Sequence, residues 1–548
     1  MGCQARLGLT GTGWLASQGH GAVRAMNDSE YLYQGLRKSV HDPDPLRLTL
    51  ARELDLPEIE SVTVEREAID ARRKPVVYLY NLRFRVSRAT PRLEGLLARG
   101  VVSRYEPAPL PEPERRLRLP ERPVIVGFGP AGIFLGLELG RLGYKPIIYE
   151  RGEPVEERVG AVQSLWREGI LDPDSNLQFG EGGAGTFSDG KLTTGKRRAL
   201  NDVVLQTLVE AGAPEGILYQ SRPHIGTDYL RRVVGNLRQR IVESGGEVHF
   251  RHTLTDLGLG HDGVESAVVN GRAVPTTALI LAIGHSARDT IEMLHGRGVA
   301  MELKPFAVGT RIEHPAAFIS EAQYGREAAA VLPAADYKLT YRHKGLGVYS
   351  FCMCPGGRVV CASSEPHGLV TNGMSYYPRA EAYSNSAIVV SLDPAAYGFN
   401  SPLEAIAFQR RYEGAAYRAG GGGYLAPAQR ARDFLSGRPS STLPPVSYRP
   451  GVVPADLNAV LPAAILPALK AGLERFDRTI RGFVDQGVLI GLESRTSSPV
   501  RILRDETFQS ISAPGLYPLG EGAGYAGGIM TCALDALRFA QLVRPWRS

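Results

Sequence analysis

VIVGFGPAGIFLGLELGRLGYKPIIYE, Val124 to Glu150, decides the fold. Val124 to Val126 reads as a short buried strand. Gly127, Phe128, Gly129, Pro130, Ala131 and Gly132 form the turn that follows, and IFLGLELGRLG is helical. PIIYE is a second strand ending in an acid. The spacing suits a dinucleotide site. Gly127 makes the tight turn, Gly129 lets backbone approach a pyrophosphate, and Gly132 packs helix on strand. The helix N-terminus then turns its positive dipole end to the phosphates. Glu150 stands 18 residues after Gly132, where a carboxylate can accept from a ribose hydroxyl.

No second complete strand–GxGxxG–helix–strand unit follows in the roughly four hundred residues after this one. TTALILAIG, Thr276 to Gly284, reads as a buried strand running into a glycine turn. GLYPLGEGAGYAGGIMTCALDALRFAQ stands at the far end. There LYPL is a strand, Gly520 and Glu521 open an acidic turn, and Gly527 and Gly528 lead into a helix from Ile529. A second helix N-terminus with an acidic turn suits a ribityl chain and diphosphate, so the layout favours FAD over NAD.

The chain has 548 residues, enough for two or three domains. A hydrophobic content of 43% and a charged content of 22% describe an ordinary globular protein. The net charge of +6 permits an anionic ligand without demanding nucleic acid. Five unspaced cysteines imply no disulfide framework, and a reducing, cytoplasmic setting fits them. No uncharged apolar run is long enough to span a bilayer. No metal-ligand spacing is present. Residues 1–26 lack the apolar core of a signal peptide and read as a disordered leader, or as sequence before a start at Met26.

Residues 27–105 read as a small α+β domain, with SVTVEREAI and VVYLYNLRFRV as alternating strands. A proline-rich linker, 106–119, precedes a Rossmann-like domain built from 120–300 and 497–548. A mixed α/β substrate domain, 301–496, is inserted between these two parts. The fold class is therefore α/β. Gly420 to Gly423 form a turn, with a lid as one use.

FGEGGAGTFSDGKLTT, Phe179 to Thr194, nearly matches a phosphate loop. Leu192 stands where a magnesium-binding Ser or Thr is needed, and no buried strand precedes it. The match is read as coincidence.

These stretches, with PHIGTDYLRRVV, GVYSFCMCPGGRVV, TNGMSYYPR, YRPGVVPADL and SRTSSPVRILRDE, resemble the bacterial and plastid family of uncharacterised FAD-dependent dehydrogenases, related to glutathione-reductase-type flavoproteins. The resemblance runs from about Tyr31 to the end. It implies FAD as cofactor and that the glycine loop lies along it. Gly182, Gly183 and Thr186 would offer backbone N–H groups, and Ser188 and Lys191 would reach the ring edge. Arg158 would meet the diphosphate and the Leu254 backbone the adenine. The alternatives are a surface lysine capping a turn at Lys191 and a solvated helix face at Arg158.

Arg495 in ESRTSSPVR is the candidate for gripping an anionic substrate or the flavin edge, against an ion pair with Glu493 or Asp505. His224 and His285 are proton-donor candidates against structural roles. Cys352 and Cys354, two apart on a strand, should face one side as small core residues. The expected function is an FAD-dependent oxidoreductase acting on a small molecule, with NAD(P)H as a transient electron donor. The alternatives are a flavoprotein touching RNA through Arg72, Arg73, Lys74, Tyr78 and Tyr80, or a non-catalytic FAD scaffold.

Overall fold

The computed structural model describes residues 30–193 and 199–547. The expected leader, 1–26, and Thr194 lie outside the described residues.

Two compact units are present. Among the described residues, the first holds Glu30 to Lys38, Asp42–Glu67 and Leu79–Pro107. Its sheet order is Ile59–Asp70, Val77–Val86, Glu30–Ser39, Val102–Arg104. The two alternating stretches form the first two of these strands. Helix Pro91–Ala98 is capped by Thr90, whose side chain accepts from Leu93 N. Tyr80, read as available for stacking on bases, is buried.

The second unit holds Ser39–His41, Ala68–Tyr78 and everything from Ala108 onward. Ala68–Tyr78 therefore groups apart from the rest of the expected 27–105 domain. Tyr78, also read as exposed, is half-buried and packs on this unit's main core. The expected linker is not free along its length. Leu117 bridges to Val543, and Leu117 N donates to Leu542 O at 2.7 Å.

Five strands make a fully parallel sheet in the order Leu516–Pro518, Leu279–Leu281, Val124–Val126, Ile147–Tyr149, Glu247–His249. Val124–Val126 and Leu279–Leu281 are buried throughout, as apolar runs covered on both faces must be. Helices Pro130–Arg141 and Ile529–Leu542 pack on each other and on this sheet's core.

A seven-stranded sheet takes its strands from 306–493. At its centre Phe306–Pro315 pairs antiparallel with Tyr383–Leu392 on one side and Val488–Glu493 on the other. Leu346–Cys354 pairs beyond Tyr383–Leu392. Val452–Pro454, inside the YRPGVVPADL segment, is an edge strand parallel to Ala426–Arg430. Gly420 ends helix Pro402–Ala419, and the glycines after it form the turn into buried Tyr424. No described helix is long and apolar enough to cross a membrane.

Candidate functional site

The carboxyl ends of Val124–Val126 and Leu279–Leu281 open on a cleft of about 250 Å³. Gly127 leaves the first strand with φ +99°, and a Cβ there would stand 2.3 Å from Ala282 O. A Cβ on Gly132 would stand 2.1 Å from Gly127 O. These two glycines are required by the protein's own packing. Gly129 differs: a Cβ there would meet only Gly183 Cα, at 3.8 Å. Gly284, Gly527 and Gly528 would meet nothing within 4 Å. Their backbone borders open space, which is the condition for a ligand to approach.

Two helix N-termini point at this space. Pro130 and Ala131 open Pro130–Arg141, and Gly528 precedes Ile529–Leu542; all of these line the cleft except Gly527 and Gly132. Unpaired N–H groups and the dipole make each a place for phosphate. The turn, the open glycines and the paired N-termini fit a dinucleotide such as FAD.

Glu150 lines the cleft, and its carboxylate also builds it. Oε2 accepts from Phe128 N at 2.7 Å. Oε1 accepts from Gly152 N at 3.0 Å and Gly180 N at 2.8 Å. Oε2 keeps acceptor capacity for a hydroxyl. Leu254, Gly284, Gly520 and Glu521 complete this part of the lining. Gly520 N donates to Asp535 Oδ2 at 2.8 Å, and Asp535 is held by Arg504. Glu521 stands 3.5 Å from His285 Nδ1. Burial would raise the Glu521 carboxyl, but His285 and Gly528 N–H outweigh it and hold it below its usual range. The other ring nitrogen of His285, Nε2, is buried with no partner among the described residues.

The glycine loop docks on the first turn through Gly182 N, which donates to Phe128 O at 2.8 Å. Gly183 and Ser188 line the cleft. Gly182 and Thr186 do not: a Cβ on Gly182 would press on Thr186 Oγ1, and that hydroxyl donates to Glu181 O at 2.9 Å. They shape the loop from behind.

Arg158 is a correction. It lies away from the cleft, fully buried, and neither meets a diphosphate nor lies on a solvated face. Its guanidinium donates to Asn176 O at 2.9 Å, Leu177 O at 3.0 Å and Glu181 O at 2.6 Å. A buried carbonyl needs a partner, and this loop lacks regular structure to provide one. Arg158 supplies three. Burial pulls its pKa down to about 10, against the pull of Glu150 and Glu181.

Lys191 lines the cleft with a third of its side chain exposed. Nζ lies 3.1 Å from Asp189 Oδ2 and 3.8 Å from Cys354 Sγ. Burial would lower its pKa, but Asp189 and the two thiols outweigh that and raise it. Its ammonium has three donors, so one remains for a ligand.

Arg495 also lines the cleft, yet its partner is neither Glu493 nor Asp505. Nε and Nη2 meet Glu413 at 3.1 and 2.8 Å. Nη1 donates to Ser286 Oγ at 3.2 Å and Ser364 Oγ at 2.6 Å, and Nη2 reaches Glu365 at 3.5 Å. Those contacts use all five donors of a guanidinium. Gripping a substrate would mean giving one up, so Arg495 is a positioning residue. Glu493 instead holds Arg311, at 2.9 Å.

Of the two candidate histidines, His285 reaches the cleft, as does His252, whereas His224 stacks on Tyr377 and bonds its carbonyl at 2.9 Å. Sequence reasoning passed over Phe351 and Asn372, which also line the cleft. Both sit in the quoted stretches VYSFCMC and TNGM, the only signal available for them. Cys352 lines the cleft and Cys354 does not, contrary to the expectation of one shared core face.

Residues 305–496 match the domain family described as "FAD-dependent protein, C-terminal domain-like". An uncharacterized protein of Clostridium beijerinckii is 50% identical over 426 residues, 77% of this chain and 80% of that one. Among solved structures, a geranylgeranyl bacteriochlorophyll reductase-like protein of Thermoplasma acidophilum is 12% identical, with 76% of each chain covered and a TM-score of 0.32. An L-amino acid deaminase of Proteus vulgaris is 10% identical, with 79% of this chain and 92% of that one covered and a TM-score of 0.34. At 50% identity over 77% of its length the chain belongs to the same family as the Clostridium beijerinckii protein, and its residues 305–496 are a domain of the FAD-dependent, C-terminal type.

Proposed function

We propose that the protein is an FAD-dependent oxidoreductase of the dehydrogenase or reductase type, passing a hydride between the flavin and a small molecule or a reduced nicotinamide. The observation that carries this reading is a cleft whose lining joins two chemically different sets of residues. Glycine turns, two helix N-termini, Glu150 and Leu254 form one set, and Lys191, Phe351, Asn372 and Thr496 the other.

FAD, when bound, supplies a reversible two-electron acceptor. The chain does the rest. The N-termini at Pro130 and Ile529 offset diphosphate charge. Glu150 would accept from a ribose hydroxyl, and the Leu254 backbone would meet the adenine. The Lys191 ammonium, kept charged by Asp189, stabilises negative charge that develops beside it. Arg495 and Glu413 hold the Ser286 loop in place. Phe351 offers an apolar, partly exposed wall. The parallel sheet supports a Rossmann-like domain of 120–300 with 497–548, into which 301–496 is inserted. It supports kinship with glutathione-reductase-type flavoproteins in the same way.

The test is an absorbance spectrum of the purified protein, then anaerobic NADH and NADPH. Flavin bands that bleach identify a nicotinamide-fed reductase. Bands that persist with both point to another donor. A protein that neither carries flavin nor takes it up overturns the proposal.

A further inference from the structure

The nucleotide side of the cleft holds an aromatic group that the function proposed above does not use. Tyr149, buried at the end of its strand, stacks with His249 at 5.4 Å and with His252 at 5.6 Å. His249 is spent, because its Nε2 meets Glu247 Oε2 at 3.0 Å. His252 is not. It lines the cleft together with Thr253 and Leu254, and its Nδ1 bonds Phe250 O at 2.7 Å. A carbonyl oxygen only accepts, so Nδ1 carries a proton. Nε2 of the neutral ring is then left as an acceptor. Nε2 has no partner among the described residues, and they do not seal it off.

The backbone decides where this acceptor stands. Glu150 N donates to His249 O, and His252 N donates to Glu150 O, both at 2.9 Å. His252 is thus tied to the residue whose carboxylate would accept from the ribose. The base of a nucleotide is bonded to its ribose, so it comes to the edge formed by His252, Thr253 and Leu254. The neighbours of Nε2 are less selective. Thr253 N donates to Asn270 Oδ1, and Thr253 O accepts from Asn270 N, each at 2.9 Å. The Thr253 hydroxyl both donates and accepts, so it suits either kind of group. Arg151 Nη2 is committed to Asp289 at 2.8 and 2.7 Å, and its guanidinium lies 4.5 Å from the centre of the Phe179 ring. His252 Nε2 has a fixed preference: it takes a donor and refuses an acceptor.

We propose that His252 reads the base: its Nε2 accepts from the exocyclic amino group of adenine, and the cleft thereby selects 6-aminopurine nucleotides over purines that lack this amine. The inference rests on the dinucleotide reading of the cleft and goes beyond it by naming the side chain that sets base specificity. Among purines, adenine carries an amine at C6, where guanine and hypoxanthine carry an oxygen. An oxygen there would face the Nε2 lone pair. The stack on Tyr149, the Nδ1 bond to Phe250 O and the backbone bond to Glu150 O hold the imidazole in one orientation. The acceptor is therefore in place before the ligand arrives, and little side-chain freedom is lost on binding.

The test is calorimetric titration of the flavin-free full chain at about pH 8, above the ordinary imidazole range. The ligands are ADP and purine riboside 5′-diphosphate, which has hydrogen in place of the amine and is otherwise the same. The expected result is ADP bound ~10-fold more tightly, because without the amine the Nε2 acceptor is covered and left unpaired. His252→Phe keeps a ring against Tyr149 and removes the nitrogen. It should bind both ligands alike, at the weaker affinity. His252→Gln, which offers a carbonyl oxygen, should recover part of the preference. FAD uptake by the native chain is read separately by absorbance. Equal affinity of the native chain for the two ligands overturns the inference, and FAD uptake by that chain leaves the flavin reading standing. FAD uptake without ADP binding has the same meaning. A preference that survives in His252→Phe assigns base reading to another residue and also overturns the inference. A chain that takes neither nucleotide nor FAD overturns both readings.

Discussion

Glu413 holds Arg495 side-on, Oε1 to Nε at 3.1 Å and Oε2 to Nη2 at 2.8 Å. Arg288 meets the same carboxylate end-on, Nη2 to Oε1 at 2.7 Å and Nη1 to Oε2 at 2.8 Å. All three side chains are buried. Two buried guanidinium groups thus depend on one carboxylate, with Glu365 as a second partner. Glu413→Gln should cost about 3–5 kcal/mol, read from denaturant unfolding, because it leaves buried charge unpaired. The pH dependence has a definite sign. Burial works against the Glu413 charge, but the two arginines outweigh it and hold its carboxyl well below the ordinary 4.5. Its stabilisation is complete above that ordinary value and fades as pH falls below it. The variant should lose this acid-side slope.

Glu313 should behave in the opposite sense. Burial lifts its carboxyl from 4.5 to about 7, although Ser447 N donates to it at 2.8 Å. A raised carboxyl favours folding while protonated, so stability should fall as pH rises from about 4.5 through 7. Glu313→Gln should flatten that part of the curve and, at about pH 8, unfold at higher denaturant than the native chain. A curve with unchanged slope would show that Glu313 is charged and satisfied at neutral pH.

The glycine turn was legible because its information is local. Strand, turn, helix and acid fall within Val124–Glu150, and each glycine's role follows from its place in the turn. Partners distant in sequence were not legible. Arg495 lies 82 residues from Glu413, and nothing near ESRTSSPVR names that residue. The expectation for Cys352 and Cys354 failed on a bulge, since strict alternation holds only while pairing is regular. The proline-rich linker was read from composition, which cannot show that Leu117 is tied to Val543. Arg158 shows the same limit: its place in VEERVG is helical, but the carbonyls it satisfies belong to a loop 18 to 23 residues on.

Arg158→Met separates those two roles. Met removes the donors and leaves the carbonyls of Asn176, Leu177 and Glu181 short of partners in a buried site. Each orphaned carbonyl costs about 1–3 kcal/mol. The expected outcome is a lower unfolding midpoint for the flavin-free protein together with weaker flavin retention, because the loop that docks on Phe128 loosens. Flavin lost at an unchanged midpoint would instead return Arg158 to the diphosphate.

Gly129 and Gly132 make the sharpest pair for the cleft itself, three residues apart in one turn with opposite surroundings. A Cβ at Gly132 collides with Gly127 O at 2.1 Å, whether or not a ligand is present. Gly132→Ala should therefore destabilise the flavin-free protein by about 1–3 kcal/mol, as overpacking does. At Gly129 the Cβ meets only Gly183 Cα, at 3.8 Å, and φ is −81°, which any residue adopts. Gly129→Val should leave the flavin-free unfolding midpoint nearly unmoved, while the new methyls fill the space that backbone must share with a diphosphate. The measurements are thermal unfolding of both variants without flavin and absorbance after reconstitution. Gly129→Val retaining full flavin colour would mean that the diphosphate does not pass this turn.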